Sequence, residues 1–245
     1  ARTDGRGVGF LFGFTRFTPP EGLPAAPGRI FLESQLLAID PAHRRSGLAA
    51  ILKRAQAAAA LAAGIHAIHW TADPLQIGNA TLNFTRLRAV AGAIYPAYYP
   101  FTNALNRVTA SRLGVVWLPM SAHGGAGLRQ IQNGKGEMQK AAHGVPMQRG
   151  LELEAFPGIV VVNDGPHVRP EAGAARAIAV EIPANWTALQ HDSLELAQAW
   201  RATTDAVLKR YLGFTPGNYV VTNVAHEGER CYLVAEAFRP ELIGQ

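Results

Sequence analysis

The sequence predicts an α/β fold with a mixed sheet, and two patterns in its first half carry this prediction. Short apolar segments of strand length alternate with segments of helical spacing, in the order β-β-α-β-α-β. Prolines and glycines stand between these segments, where turns are expected. The chain has 245 residues, 48% hydrophobic and 17% charged, which is enough apolar material for a folded core.

The elements of the first half follow from the same pattern. Predicted strands cover 7–17, 30–39, 65–71 and 113–118, and predicted helices cover 46–63 and 79–91. A Pro/Gly-rich loop at 18–28 separates the first two strands. Asp40-Pro41 ends the second strand, because proline disfavours its continuation. Ser46 or Gly47 begins the first helix, and Gly64 closes it.

The chain as a whole is predicted to have three regions. These are a domain at 1–118, a Gly/His-rich loop or linker at 119–150, and an α+β half at 151–245. In the last region, strands are predicted at 159–163 and 177–182, a helix at about 192–212, and a hairpin at 218–235. Asp192 or Ser193 is the expected helix cap. This half is either an appended region or a degenerate copy of the first.

Composition and charge narrow the function classes. The net charge is +5, but the basic residues are scattered without interleaved aromatics, so nucleic-acid binding is disfavoured. No apolar run reaches the ~20 residues of a membrane span, and no secretory pattern opens the chain. The single cysteine, Cys231, excludes an intramolecular disulfide. A cytoplasmic protein without membrane contact is therefore expected.

The segment RRSGLA, residues 44–49, lies where the second strand passes into the first helix. Backbone N–H groups at a helix start are unpaired and attract anions. Gly47 and Ala49 leave room for a ligand, and Arg44 and Arg45 add positive charge. The junction therefore predicts a phosphate site, although a helix start with a solvated basic turn fits these six residues as well.

The wider segment, from the strand FLESQLLAID through RRSGLA, the helix and IHAIHW to Asn79, resembles the GNAT superfamily of acyl-CoA N-acyltransferases. Arg44, Gly47 and Ala49 match its Q/R-x-x-G-x-G/A element, which holds the CoA pyrophosphate. The resemblance implies that the strand before this element splays at a bulge and that its freed backbone pairs with pantetheine. The residues thus nominated for CoA are Leu37, Ala38, Ile39, Arg44, Arg45, Ser46, Gly47, Leu48, Ala49, Asn79 and Arg86.

A narrower likeness extends over the rest of the chain. The run WTADPLQIGNATLNFTRLRAVAGAIYPAYY resembles a bacterial GNAT subfamily with an additional C-terminal half, here EIPANW…LAQAWR…YVVTNV. In this fold a first strand and helices are expected to precede Gly7. The resemblance gives no acceptor, which can be a small-molecule or peptide amine, and it leaves open a homodimer.

The resemblance also implies a mechanism. The acceptor amine attacks the thioester of acetyl-CoA or another acyl-CoA, with Glu33 as general base provided that burial raises its pKa, and no metal is required. A backbone N–H near Ala38 or Ile39 would hold the oxyanion. Arg86 stands where many members have a proton-donating tyrosine. Either a water or one of three other tyrosines takes that role, namely Tyr95, Tyr98 or Tyr99, or the chain is a non-catalytic CoA-binding or sensing protein.

Overall fold

A computed structural model describes residues 1–3, 5–18, 30–103, 106–126, 150–169 and 173–243. Most of the loop predicted at 18–28 and most of the linker predicted at 119–150 lie outside these residues. Within them the predicted mixed α/β architecture is present, because strands and helices alternate along the chain in both halves.

The strands are β1 (Arg2–Thr3), β2 (Arg6–Gly7), β3 (Gly9–Arg16), β4 (Phe31–Ile39), β5 (Ile68–Ala72), β6 (Val90–Tyr99), β7 (Ala110–Trp117), β8 (Leu151–Glu152), β9 (Val160–Val161), β10 (Asn163–Asp164), β11 (His167–Val168), β12 (Ala177–Ile182), β13 (Tyr219–Glu227) and β14 (Arg230–Ala237). The helices are α1 (Leu48–Ala62), α2 (Ile77–Ala80), α3 (Trp186–Asp192) and α4 (Leu194–Tyr211). A π-helical turn, Thr81–Arg86, continues α2.

One ten-stranded mixed sheet runs through both halves, in the order β3-β4-β5-β7-β6-β13-β14-β12-β9, with β8 beside β13. A large apolar core joins residues of α1 and α4 to this sheet. In the first half β4 pairs in parallel with β5, and β7 lies between β5 and β6; in the second half β9 pairs in parallel with β12, and β14 lies between β12 and β13. The two halves therefore share this strand order, mirrored about the seam.

The halves meet at a narrow seam in the sheet. β13 pairs with β6 at one position only, Val221 with Ala91. Side chains reinforce the seam, because buried Asp73 after β5 accepts two hydrogen bonds from Arg201 Nη2 of α4, at 3.0 and 2.9 Å. Ser111 of β7 also donates to Asp205 of α4 at 2.6 Å. A buried charge network thus replaces part of the missing backbone ladder.

β4 contains a bulge. Phe12 of β3 pairs with Leu36 and Phe14 pairs with Glu33, so Ser34 and Gln35 together oppose the single residue Gly13. A bulge of this kind bends its strand and re-aims the side chains that follow. Glu33 consequently faces away from α1, whereas Ser34 contacts α1 through Lys53.

Several predicted boundaries need correction. The predicted helix at 79–91 ends at Arg86, and Val90 already belongs to β6. Tyr95 to Tyr99, expected around a proline-rich turn, lie inside β6, where a register shift and a positive φ at Ala97 accommodate Pro96. The predicted helix at 192–212 is preceded by a separate helix, α3. Ser193 caps α4 by accepting from Leu196 N at 3.2 Å.

Candidate active site

The site begins where two parallel strands separate. β4 and β5 pair only at Leu32 with Ile68 and at Glu33 with His69. Residues 34–39 of β4 continue beyond this point while remaining paired with β3 on the other side. The bulge and the separation together produce the splayed strand that the sequence resemblance implied. We call the point of separation, just beyond Glu33 and His69, the fork.

A pocket of about 450 Å³ opens beyond the fork, between β4, the start of α1 and α2. It is lined by Leu37, Ala38, Ile39, His43, Arg44, Arg45, Gly47, Leu48, Ala49, Ala50, Gly78, Asn79, Leu82 and Arg86. Every residue that the sequence nominated for CoA is in this set except Ser46. His43, Ala50, Gly78 and Leu82 were missed, because nothing in the sequence distinguishes them from ordinary helix and turn residues.

The first turn of α1 faces this pocket, and no side chain caps the backbone N–H groups of that turn. The cap residue is Gly47, with φ of 81°. Ser46 cannot serve, because its hydroxyl donates instead to His43 O at 2.7 Å. A Cβ built on Gly47 would meet no atom within 4 Å. The exposed amides of this 15-residue helix can therefore accept an anion at close range.

Arginines surround that helix start. Arg44, Arg45 and Arg86 all line the pocket, and among the described residues none of them forms an ion pair with a carboxylate. Within the described residues, the side chain of Arg44 donates one hydrogen bond, from Nε to Ile39 O at 3.4 Å. The first turn of α1 contains no acidic residue. The rim of the pocket is consequently positive, which suits a phosphate-bearing ligand.

Asn79 lies in the middle of α2, exposed to the pocket. The cap of α2 is Gln76, so Asn79 does not have the capping role that would otherwise explain it. Its amide is free to contact a ligand.

Glu33 is held differently from the sequence expectation. Its Oε2 lies 2.7 Å from His69 Nδ1 and 3.2 Å from Arg16 Nη1, and the residue is 7% exposed. Burial would raise the pKa of this carboxyl, but the hydrogen bonds and charges of His69 and Arg16 outweigh burial and lower it. The net pKa of Glu33 is therefore lowered, and the condition of a raised pKa is not met. Glu33 also does not line the pocket.

His69 is the partner that sequence reasoning missed. With Nδ1 donating to Glu33, Nε2 is the acceptor whenever the imidazole is in its neutral form. Nε2 is buried and has no hydrogen-bond partner within the described part of the chain. Pairing with Glu33 depends on a strand contact across 36 positions, which no local pattern reveals.

The three candidate tyrosines are elsewhere. Tyr95, Tyr98 and Tyr99 do not line the pocket. Tyr98 packs between the rings of Tyr95 and Tyr99, at 6.0 and 5.0 Å between centroids, and Arg112 lies over Tyr99 at 4.9 Å. These contacts give them a packing role on β6.

Solved structures of acetyltransferases are similar to parts of this chain. Naa20 of Chaetomium thermophilum, in complex with a bisubstrate analogue, is 17% identical, with 44% of this chain and 58% of that chain covered and a TM-score of 0.37. The NatC complex bound to Gag peptide and CoA is 14% identical, with 48% and 65% covered and a TM-score of 0.36. An IAA acetyltransferase from Bacillus cereus is 13% identical, with 47% and 72% covered and a TM-score of 0.37.

This chain spans less than two thirds of the length of the first two of these structures. The mixed sheet, and the bulge and fork of β4, agree with the GNAT-like fold that the resemblance in the sequence implied. No protein-family model matches the chain, and no curated protein matches it.

Among the described residues, no three His, Cys, Asp or Glu side chains lie close enough together to hold a metal ion. No helix there is long and apolar enough to cross a membrane.

Proposed function

We propose that this protein transfers an acetyl or other acyl group from acyl-CoA to the amine of an acceptor. The observation that carries the proposal is the convergence, in one pocket at the splayed end of β4, of an uncapped helix start and three arginines that have no carboxylate partner among the described residues. This arrangement suits the pyrophosphate of CoA at one end. The splayed backbone of residues 34–39 suits an extended amide chain along its length.

In the proposed reaction the neutral amine nitrogen attacks the thioester carbon. A C–N bond forms, the C–S bond breaks, and the amine loses a proton. Glu33 and His69 are proposed to accept that proton as a pair: the carboxylate fixes the imidazole through Nδ1, and Nε2 takes the proton directly or through a water. This revises the role of Glu33 from the base itself to the group that positions the base.

The acceptor amine is proposed to approach from the face of the sheet opposite α1. Glu33 and His69 lie on that face, whereas the helix start lies at the far end of β4. An N–H near Ala38 or Ile39 remains the proposed oxyanion donor. The acceptor can be a small-molecule amine or a peptide amine, and the protein can form a homodimer.

The test is binding of CoA and acetyl-CoA by calorimetry, to the wild type and to two glycine variants. Gly47→Trp places a ring in the open space before α1, and we expect it to abolish saturable binding. Gly64→Trp is the matched control: Gly64 also has a positive φ, 75°, and no neighbour within 4 Å of a Cβ, but it lies at the other end of α1. Because both variants impose the same backbone strain, only loss of binding confined to Gly47→Trp supports the proposal.

Two results separate the alternatives. Absence of CoA binding by the wild type contradicts the proposed function. Saturable binding without any turnover, across a screen of amine acceptors, favours the non-catalytic CoA-binding reading. The feature that favours a non-catalytic protein is Arg86, which replaces the proton-donating tyrosine expected from the resemblance.

A further inference from the structure

A lysine is buried at the fork between β4 and β5. Lys53 of α1 is 3% exposed, and its Nζ donates to Ser34 Oγ at 2.8 Å and lies 3.4 Å from the centre of the Trp70 ring. Ser34 directly follows Glu33, and Trp70 directly follows His69, which are the last paired residues of the two strands. The ammonium group therefore contacts both strands at the position where they separate.

The position of Lys53 relative to the pocket can be read along two elements. On α1, Ala49 and Ala50 line the pocket, and Lys53 follows them by four and three positions, on the same helix face and about one turn further. On β4, Leu37 lines the pocket, and Ser34 lies about 10 Å back along the strand. Lys53 itself does not line the pocket; it is buried about one helical turn beyond Ala49 and Ala50, toward the fork and away from the helix start at Gly47.

This separation assigns the two ends of a CoA-type donor. Its phosphates belong at the outer end, with the α1 amides and the arginines. The rest of the molecule then follows the splayed β4 toward the fork, which brings the thioester to the inner end. When the C–S bond breaks there, negative charge develops on sulfur, and a buried cation is the group that stabilises such charge best.

The ionisation of Lys53 fits such a role. Burial lowers the pKa of this amine to about 7, although the negative charge of Glu33 raises it somewhat. A proton donor is most effective when its pKa lies near the working pH. Arg86 lines the pocket but holds its proton too tightly to donate it.

We propose that Lys53 contacts the sulfur of the acyl donor and gives its proton to the departing thiolate, an inference that rests on the acyl-transfer function proposed above. The atoms balance: the amine nitrogen forms the new C–N bond and loses one proton to the Glu33–His69 pair. Sulfur takes the electrons of the C–S bond and gains one proton from Lys53. Solvent then returns a proton to Lys53 and removes one from His69.

The test measures the bound thiol rather than turnover. CoA is titrated on the enzyme by its thiolate absorbance, in the wild type, Lys53→Met and Lys53→Arg, with Arg54→Met as a control that removes a partly exposed charge one residue further along α1. We expect the thiol of CoA bound to the wild type to ionise at least one pH unit lower than that of free CoA. Lys53→Met should abolish that shift, Lys53→Arg should keep it, and Arg54→Met should leave it unchanged.

Desulfo-CoA supplies the second measurement, because it keeps the phosphates but lacks the sulfur. Its affinity should stay within twofold across all variants. Lys53→Met that weakens CoA and desulfo-CoA equally overturns the proposal, because the lysine then acts only on the structure of the site. A thiol that ionises in the wild-type complex as it does in free CoA overturns it without any variant. Failure of both ligands to bind the wild type instead contradicts the proposed function itself.

Discussion

Glu33 and His69 are the last residues at which β4 and β5 pair, and their side chains are joined by a 2.7 Å contact between Oε2 and Nδ1. The hydrogen bond therefore closes the fork on the face opposite α1, while Lys53 occupies it on the α1 face. In the proposed reaction a proton acceptor and a proton donor thus flank one point of the sheet. The fork, rather than the helix start, is therefore the proposed chemical centre of the site.

The Glu33–His69 contact has a consequence for stability at acid pH. The pKa of Glu33 in the folded protein lies below its ordinary value of 4.5, so the folded state favours the carboxylate. This contribution is fully present above about pH 4.5 and is lost as the pH falls through the lowered value. We expect Glu33→Gln to reduce the loss of stability between neutral and acid pH, measured by urea unfolding at a series of pH values.

A neighbouring carboxylate provides the comparison for that experiment. Asp40 also has a lowered pKa, first because it accepts a hydrogen bond from Ala42 N, but it lies outside the fork. Asp40→Asn should change the loss of unfolding free energy at acid pH without changing the pH profile of acyl transfer, whereas Glu33→Gln should change both. Identical activity profiles for Glu33→Gln and the wild type would contradict the role proposed for Glu33.

Arg86 offers a test of the positive rim. It lines the pocket from the end of the π-helical turn and has no carboxylate partner among the described residues. A hydrogen bond to a charged group contributes about 1.5–3 kcal/mol, so Arg86→Ala should weaken CoA binding by about tenfold or more. The salt dependence of binding should also become less steep. Arg2→Ala, at an exposed arginine that does not line the pocket, should do neither.

The seam between the halves should depend on buried charge. Asp73 and Arg201 are each about 5% exposed, and Arg112 Nη1 lies 3.4 Å from the same carboxylate. Removing one partner leaves an uncompensated buried charge, so Asp73→Ala should cost about 3–5 kcal/mol of unfolding free energy. Arg201→Met should cost a similar amount, and the double variant should cost less than the sum. Strict additivity in that cycle would show that the two groups do not act as a pair.

The sequence predicts the parts of this structure that are local. RRSGLA could be interpreted as a helix start because the glycine, the small residues and the preceding strand are all within ten positions. Ser193 as a cap and the hairpin around Gly228 follow from equally short patterns. The fork and bulge came from the family resemblance, since a strand's departure from its neighbour leaves no periodic signal of its own.

The remaining features depend on contacts between distant segments. The role of Glu33 as the base was conditional on a raised pKa, and this condition is not met, because the partners Arg16 and His69 lower the pKa and no local pattern indicates them. Lys53 contacts Ser34 and Trp70 on two different strands, and no local pattern in its Ala-rich helix indicates these contacts. Asp73 and Arg201 are 128 positions apart, so their pairing is a property of the fold alone.

The bulge in β4 gives the site an unusual dependence on chain length. Two residues, Ser34 and Gln35, oppose Gly13, and this one additional residue inverts the facing of everything that follows in the strand. Deleting Gln35 would change no residue that lines the pocket, yet it would turn Leu37 away from α1 and restore a regular ladder. Which side chains of this strand face the pocket is thus set by a count of residues and not by the identity of any one of them.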